Sequence, residues 1–90
     1  MRKADTNEGE AETVALAALG WILAEEARAR RLIALTGLTP DDLRAGLGDR
    51  ALLAELLGFL EAHEPDLVAC AEALRVPPPQ LVEARRRLER

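Results

Sequence analysis

The chain has 90 residues, one domain near the lower end of what buries an independent core. Hydrophobic residues make up 49% of it, which excludes a disordered polymer, and aromatics only 2%, so the core must be built from Leu, Ala, Val and Ile. Net charge is −4, yet residues 75–90 hold five Arg and two Glu, a local +3 against −7 for residues 1–74, so the molecule as a whole repels nucleic acid while its C-terminal part does not.

The single Cys70 excludes an internal disulfide, and the fold needs no oxidising compartment. The charged start MRKADTNEGEAE is not followed by a signal-peptide core. The longest apolar run, VALAALGWILA, has 11 residues and is too short to cross a bilayer as a helix. These features point to a cytoplasmic protein. Ala, Leu, Glu and Arg dominate, and no alternating β-branched run occurs, so the expected class is all-α.

In chain order, residues 1–8 read as a frayed polar tail and residues 9–90 as a single helical domain. Asn7 and Glu10 have the spacing of a capping box at the start of the first helix. Its apolar face is expected at Leu16, Leu19 and Leu23, with Ala15 and Ile22 beside them. Leu32 and Leu35 fall on nearly the opposite side of a continuous helix. A break is therefore placed within Glu25–Arg30, with a second helix ending at Gly37 in a Schellman motif that tucks in Leu38. Thr39–Pro40–Asp41–Asp42 starts a short third helix: Thr39 caps, Pro40 fits the first position and the two Asp complement the positive helix end. Gly46 and Gly48 end it. Asp49 caps a fourth helix of roughly residues 50–63. Its Leu52, Leu53, Leu56, Leu57, Phe59 and Leu60 cover nearly half the circumference and make it the central element. Glu64–Pro65 opens a fifth helix with Leu67, Val68, Cys70, Ala71 and Leu74 inward. After Pro77, Pro78 and Pro79, a sixth helix of about residues 78–88 carries the narrow stripe Leu81, Ala84 and Leu88. The predicted fold is a compact bundle of five or six short helices with two Pro-containing helix-turn-helix corners.

The segments LIALTGLTPDDLR, FLEAHEPDLV and AEALRVPPPQLVEAR, behind an Ala/Leu-rich first helix, resemble a domain-of-unknown-function family of short alphaproteobacterial proteins, family 3572. The resemblance covers residues from about 11 to 88, and TGLTPDDLR is its most specific part. It implies the six-helix layout and no activity, substrate or catalytic residue. The chain departs from the family's pattern at Glu26–Ala27, where an Asp-Pro-like break is usual, and at Arg75, where Gly is usual.

Candidate chemistry is sparse. One His and one Cys cannot close a zinc site, and no Glu-x-x-His pair serves a dimetal centre, so no metal or cofactor is expected. His63 is assigned to the end of the fourth helix and Cys70 to the core as an inert thiol. Asp41–Asp42 is explained by capping, and Gly46–Leu47–Gly48 lacks the third glycine and the strand of a phosphate-binding loop. The expected function is therefore non-enzymatic: a small protein-interaction or regulatory module, partnered by another protein or by itself, with no membrane partner. Val14 and Trp21, seven residues apart on the first helix, are its candidate interface, unless the second helix folds back over Trp21.

The alternative is a helix-turn-helix nucleic-acid binder over residues 67–90. Ala71, Leu74, Val76, Leu81 and Ala84 occupy the inward positions of such a motif, while Arg75 stands where its turn glycine belongs. Gln80, Arg85, Arg86, Arg87 and Arg90 are its candidate contacts. The three prolines and the acidic remainder weigh against it. The Pro77–Pro79 corner reads mainly as a packing joint, and Arg85–Arg87 as a solvated face.

Overall fold

The computed structural model describes residues 3–90, with side chains from residue 9 onward. Six helices account for most of it: α1 (Lys3–Leu23), α2 (Glu26–Thr36), α3 (Pro40–Ala45), α4 (Arg50–Glu61), α5 (Glu64–Leu74) and α6 (Pro78–Leu88). No strand occurs among the described residues. The radius of gyration, 12.4 Å, is close to the ~12 Å expected for a compact chain of this length.

Local chemistry sets most boundaries. Thr39 closes a full capping box: its hydroxyl accepts from the Asp42 amide at 3.0 Å, and the Asp42 carboxylate accepts from the Thr39 amide at 3.0 Å. Asp49 caps α4 by accepting from the Ala51 amide at 2.9 Å. Pro65 and Pro78–Pro79 lie in the first turns of α5 and α6, where missing amide hydrogens cost nothing. Gly37 ends α2 at φ 77°, but with the single bond from its amide to the Ile33 carbonyl; the Leu38 amide donates instead to the Thr36 hydroxyl. The expected Schellman motif is absent there and present at the end of α5, where the Val76 amide donates to Ala71 and the Arg75 amide to Glu72. Arg75 thus holds a left-handed φ of 62° without being glycine.

The first helix departs from its expected start. Its backbone is helical from Lys3, so Asn7 lies inside α1 rather than at its cap, and the Asn7 side chain lies outside the described residues.

Burial confirms α4 as the central element. Leu52, Leu53, Ala54, Leu56, Leu57, Phe59 and Leu60 are all buried. The α6 stripe Leu81, Ala84 and Leu88 is buried as predicted, and it wedges α6 against both α1 and α4 in the most extensive packing of the fold. Leu38, Leu74 and Val76 pack half-buried against the core, so both proline corners are packing joints.

Three sequence-based facings are corrected. In α1 the buried face is Ala11, Ala15, Ala18, Leu19 and Ile22, while Leu16 and Leu23 are 41% and 45% exposed. α1 packs against both α4 and α6, and helix axes that approach closely need small residues at the contact. Three alanines therefore face inward beside Leu19 and Ile22, in place of Leu16 and Leu23. In α2 Leu32 is buried but Leu35 is 70% exposed, and in α5 Val68 faces solvent. The break between α1 and α2 exists, at Ala24–Glu25 on the edge of the expected window, but opposed leucine faces do not cause it. Arg28 reaches back instead. Its guanidinium donates to the Trp21 carbonyl, lies 3.7 Å from the centroid of the Trp21 ring and pairs with Glu25 at 3.0 Å. One side chain so satisfies the end of α1 and fixes the corner.

Candidate functional site

The basic helix is the first candidate, and its charges prove to be unequal. Arg85 Nε donates to the Glu61 carboxylate on α4, and its Nη1 donates to Glu89 at 2.8 Å. These bonds, to Glu61 first and Glu89 second, raise its pKa further above the ordinary arginine value. Arg87 Nε lies 3.4 Å from Glu83, and the Arg87 carbonyl accepts from Arg50 at 2.6 Å. Arg85 is therefore a bridge between α6 and α4 rather than part of a solvated face. Gln80, Arg86 and Arg90 are exposed. The first turn of α6, the end that a helix-turn-helix protein directs at bases, is formed by Pro78 and Pro79 behind Pro77 and offers no amide donor from these three residues.

The second candidate is the Val14–Trp21 side of α1. Both residues are half-buried against the core, and the Trp21 ring lies beneath Arg28 of α2. Val14 borders a crevice between α1 and α6 with Gln80, Glu83 and Arg87. Trp21 is thus covered in the way the fold-back reading of α2 anticipated.

Nucleophile chemistry does not converge. Cys70 is fully buried, and desolvation pushes its thiol up to about 11 against the opposing pull of Arg28. His63 is exposed, in the joint where the Asp66 and Leu67 amides donate to its carbonyl at the start of α5. Among the described residues no group of three His, Cys, Asp or Glu could hold a metal ion, and no helix is long and apolar enough to cross a membrane.

The structure adds a surface that sequence reasoning assigned to the core. A cleft of about 470 Å³ opens between α1, α2 and α3. Leu16, Leu19, Gly20 and Leu23 form one wall, Ala29 and Ile33 a second, and Pro40, Leu43, Arg44 and Leu47 a third. Arg44 is the one charged residue of the lining, and it pairs with Asp41. Leu47, like Leu16 and Leu23, is over 40% exposed. α3 is only six residues long, buries Leu43 alone and lacks extensive packing on any other helix, which leaves the cleft open.

With this geometry in view, comparison with known proteins gives one match. Residues 8–90 fit a family model described as protein of unknown function (DUF3572). The chain belongs to the DUF3572 family. No curated protein and no solved structure matches it. The match spans all of α2–α6 and most of α1, so the cleft and the basic helix both lie within the DUF3572 region. The sequence signal for the cleft was the uncharged spacing Leu16, Gly20, Leu23 on α1, which leucine periodicity alone reads as core.

Proposed function

We propose that this DUF3572 protein is a non-enzymatic, cytoplasmic protein-interaction module that docks through the apolar cleft of α1, α2 and α3. The observation that carries the reading is the cluster of exposed Leu16, Leu23 and Leu47 around one cleft, since apolar surface gathered in one place marks interaction sites whereas scattered surface leucines do not. The separation of buried Cys70 from exposed His63 supports the non-enzymatic part. The pairing of Arg85 and Arg87 with carboxylates supports a protein partner over nucleic acid.

The test compares the wild type with Leu23→Glu and Leu47→Glu as immobilised baits in native cell extract, with helicity checked by circular dichroism. Proteins retained by the wild type should be lost on both folded variants. Retention that ignores both substitutions refutes docking at the cleft. A parallel titration against duplex DNA should show only weak binding that moderate salt abolishes; sequence-specific binding at physiological salt would overturn the reading in favour of α6.

A further inference from the structure

We infer that α2 and α3 form a hinged flap that swings away from the other four helices as one unit and so sets the width of the cleft. The inference goes beyond the docking reading: the motion stands on packing alone, and docking only gives it a use.

The flap is thinly buried. Between Ile22 and Leu52 only Leu32 and Leu43 are buried, whereas α4 by itself buries Leu52, Leu53, Ala54, Leu56, Leu57, Phe59 and Leu60. α2 packs on α1 and α4, and α3 packs extensively on no helix. The other four helices need neither of them, since every pair among α1, α4, α5 and α6 is in contact. A segment with so few buried apolar side chains opens at a lower free energy than the body it leans on.

What holds the flap is mostly polar. Arg28 donates to the Trp21 carbonyl of α1 and lies 3.7 Å from the Trp21 ring centroid. Arg31, one turn further along α2, pairs with Asp66 of α5 and lies 5.9 Å from the Phe59 ring centroid of α4. Two arginines laid on the chain's only two aromatic rings thus act as latches. Water competes for such contacts, as it does not for packed leucines. The Arg28 Nε is buried without a hydrogen-bond partner, and opening supplies one in water.

The connections suit a hinge, where a few residues at element ends absorb the change in φ and ψ. Ala24–Glu25 joins the flap to α1, and Gly46–Asp49 joins it to α4. Gly46 sits at the second pivot, against Leu52. Within the flap only Gly37–Thr39 separates α2 from α3, so α3 travels with α2. Ile33 of α2 and Leu43 of α3 line the same cleft. Opening therefore carries two of its walls away from Leu16, Leu19 and Leu23.

Hydrogen exchange of the full chain, followed residue by residue by NMR, tests the inference. In the wild type the hydrogen-bonded amides of α2 and α3 should be about a hundredfold or more less protected than those of α4 and α6. Arg31→Met, which removes the Asp66 latch, should speed exchange by the same factor in α2 and in α3, although Arg31 lies on α2 alone. Leu81→Ala lies on α6, on which α2 and α3 do not pack extensively. It should speed α4 and α6 about thirtyfold or more and leave α2 and α3 within about twofold, because flap opening keeps the Leu81 contacts intact. If Leu81→Ala does not fold, Arg86→Gly weakens α6 by helix propensity alone and gives the same comparison at about fivefold. Equal protection across all six helices, a body substitution that speeds the flap as much as the body, or α2 responding to Arg31→Met without α3, overturns the flap. Exchange needs no partner, so the two readings fail separately. A flap that opens while extract proteins ignore Leu23 and Leu47 stands without docking. Retention that depends on those leucines in a chain with uniform protection means that the cleft docks as a rigid surface, and the flap falls.

Discussion

Arg75 offers the sharpest test of how the second corner is built. It sits at φ 62°, ψ 43°, the left-handed region, because the Schellman bonds from the Arg75 and Val76 amides require that turn. A residue with a Cβ costs about 1–2 kcal/mol there. Glycine removes that cost but brings about 0.5–1 kcal/mol of extra unfolded-state entropy. Arg75 also places a positive charge at the negative end of α5, a separate stabilising effect that both Arg75→Ala and Arg75→Gly discard. The two variants therefore differ only in backbone strain and freedom, and Gly should exceed Ala by about 0.5–1 kcal/mol. With an unfolding entropy of roughly 2.1 cal/mol/K per residue, this corresponds to about 3–5 °C in Tm for a chain of this size. Thermal melts followed by circular dichroism, on both variants at one concentration, give the comparison. Equal melting temperatures, or Ala above Gly, would show that the corner is not strained and refute the reasoning.

Four further outcomes follow from burial and contact. Leu56 is fully buried on the central helix, so Leu56→Ala should lower stability by about 2–5 kcal/mol in urea titration. A Cβ on Gly46 would stand 2.6 Å from Leu52 Cδ1, so Gly46→Ala should cost about 1–3 kcal/mol by overpacking, measured the same way. Arg86→Ala should change stability by less than about 0.5 kcal/mol, whereas Arg85→Ala, which strips Glu61 and Glu89 of their partner, should cost about 1–2 kcal/mol. For Cys70 the folded pKa of about 11 lies above the ordinary 9.0, so the unfolded chain releases its proton first as pH rises. Its contribution is fully present below pH 9.0 and falls between 9.0 and about 11, by about 2–3 kcal/mol relative to Cys70→Ala; parallel stability curves for the two proteins would contradict it.

What was legible in the sequence was mainly what is decided within a turn of helix. Thr39–Pro40–Asp41–Asp42 and Asp49 announce helix starts because capping is a contact among near neighbours, and both caps form. The stripe Leu81, Ala84, Leu88 was legible because α6 carries few other apolar residues to compete with it. α1 was misread for the opposite reason. It has apolar residues all round, and which of them face inward is set by how closely α4 and α6 approach, a distance that no local pattern contains. The break after α1 was anticipated, yet its cause, the reach of Arg28 back to Trp21, is a tertiary arrangement that leucine phase does not encode. The cleft was invisible for a related reason: Leu16, Leu23 and Leu47 are indistinguishable in type from buried leucines, and only the small extent of α3 leaves them uncovered.

The position of α6 between α1 and α4 has a consequence for synthesis. Chains emerge from the ribosome N-terminus first, and neighbouring elements begin to pack as they appear. Here the surfaces of α1 and α4 that face α6 have no cover until residues 78–88 are out. Until then the nascent chain displays the apolar flank of its most hydrophobic helix, a state open to proteases and to association with other emerging chains. Arg50, at the head of α4, then reaches the Arg87 carbonyl and approaches Glu12 at 3.9 Å, joining an early, a middle and a late segment only once translation has passed α6.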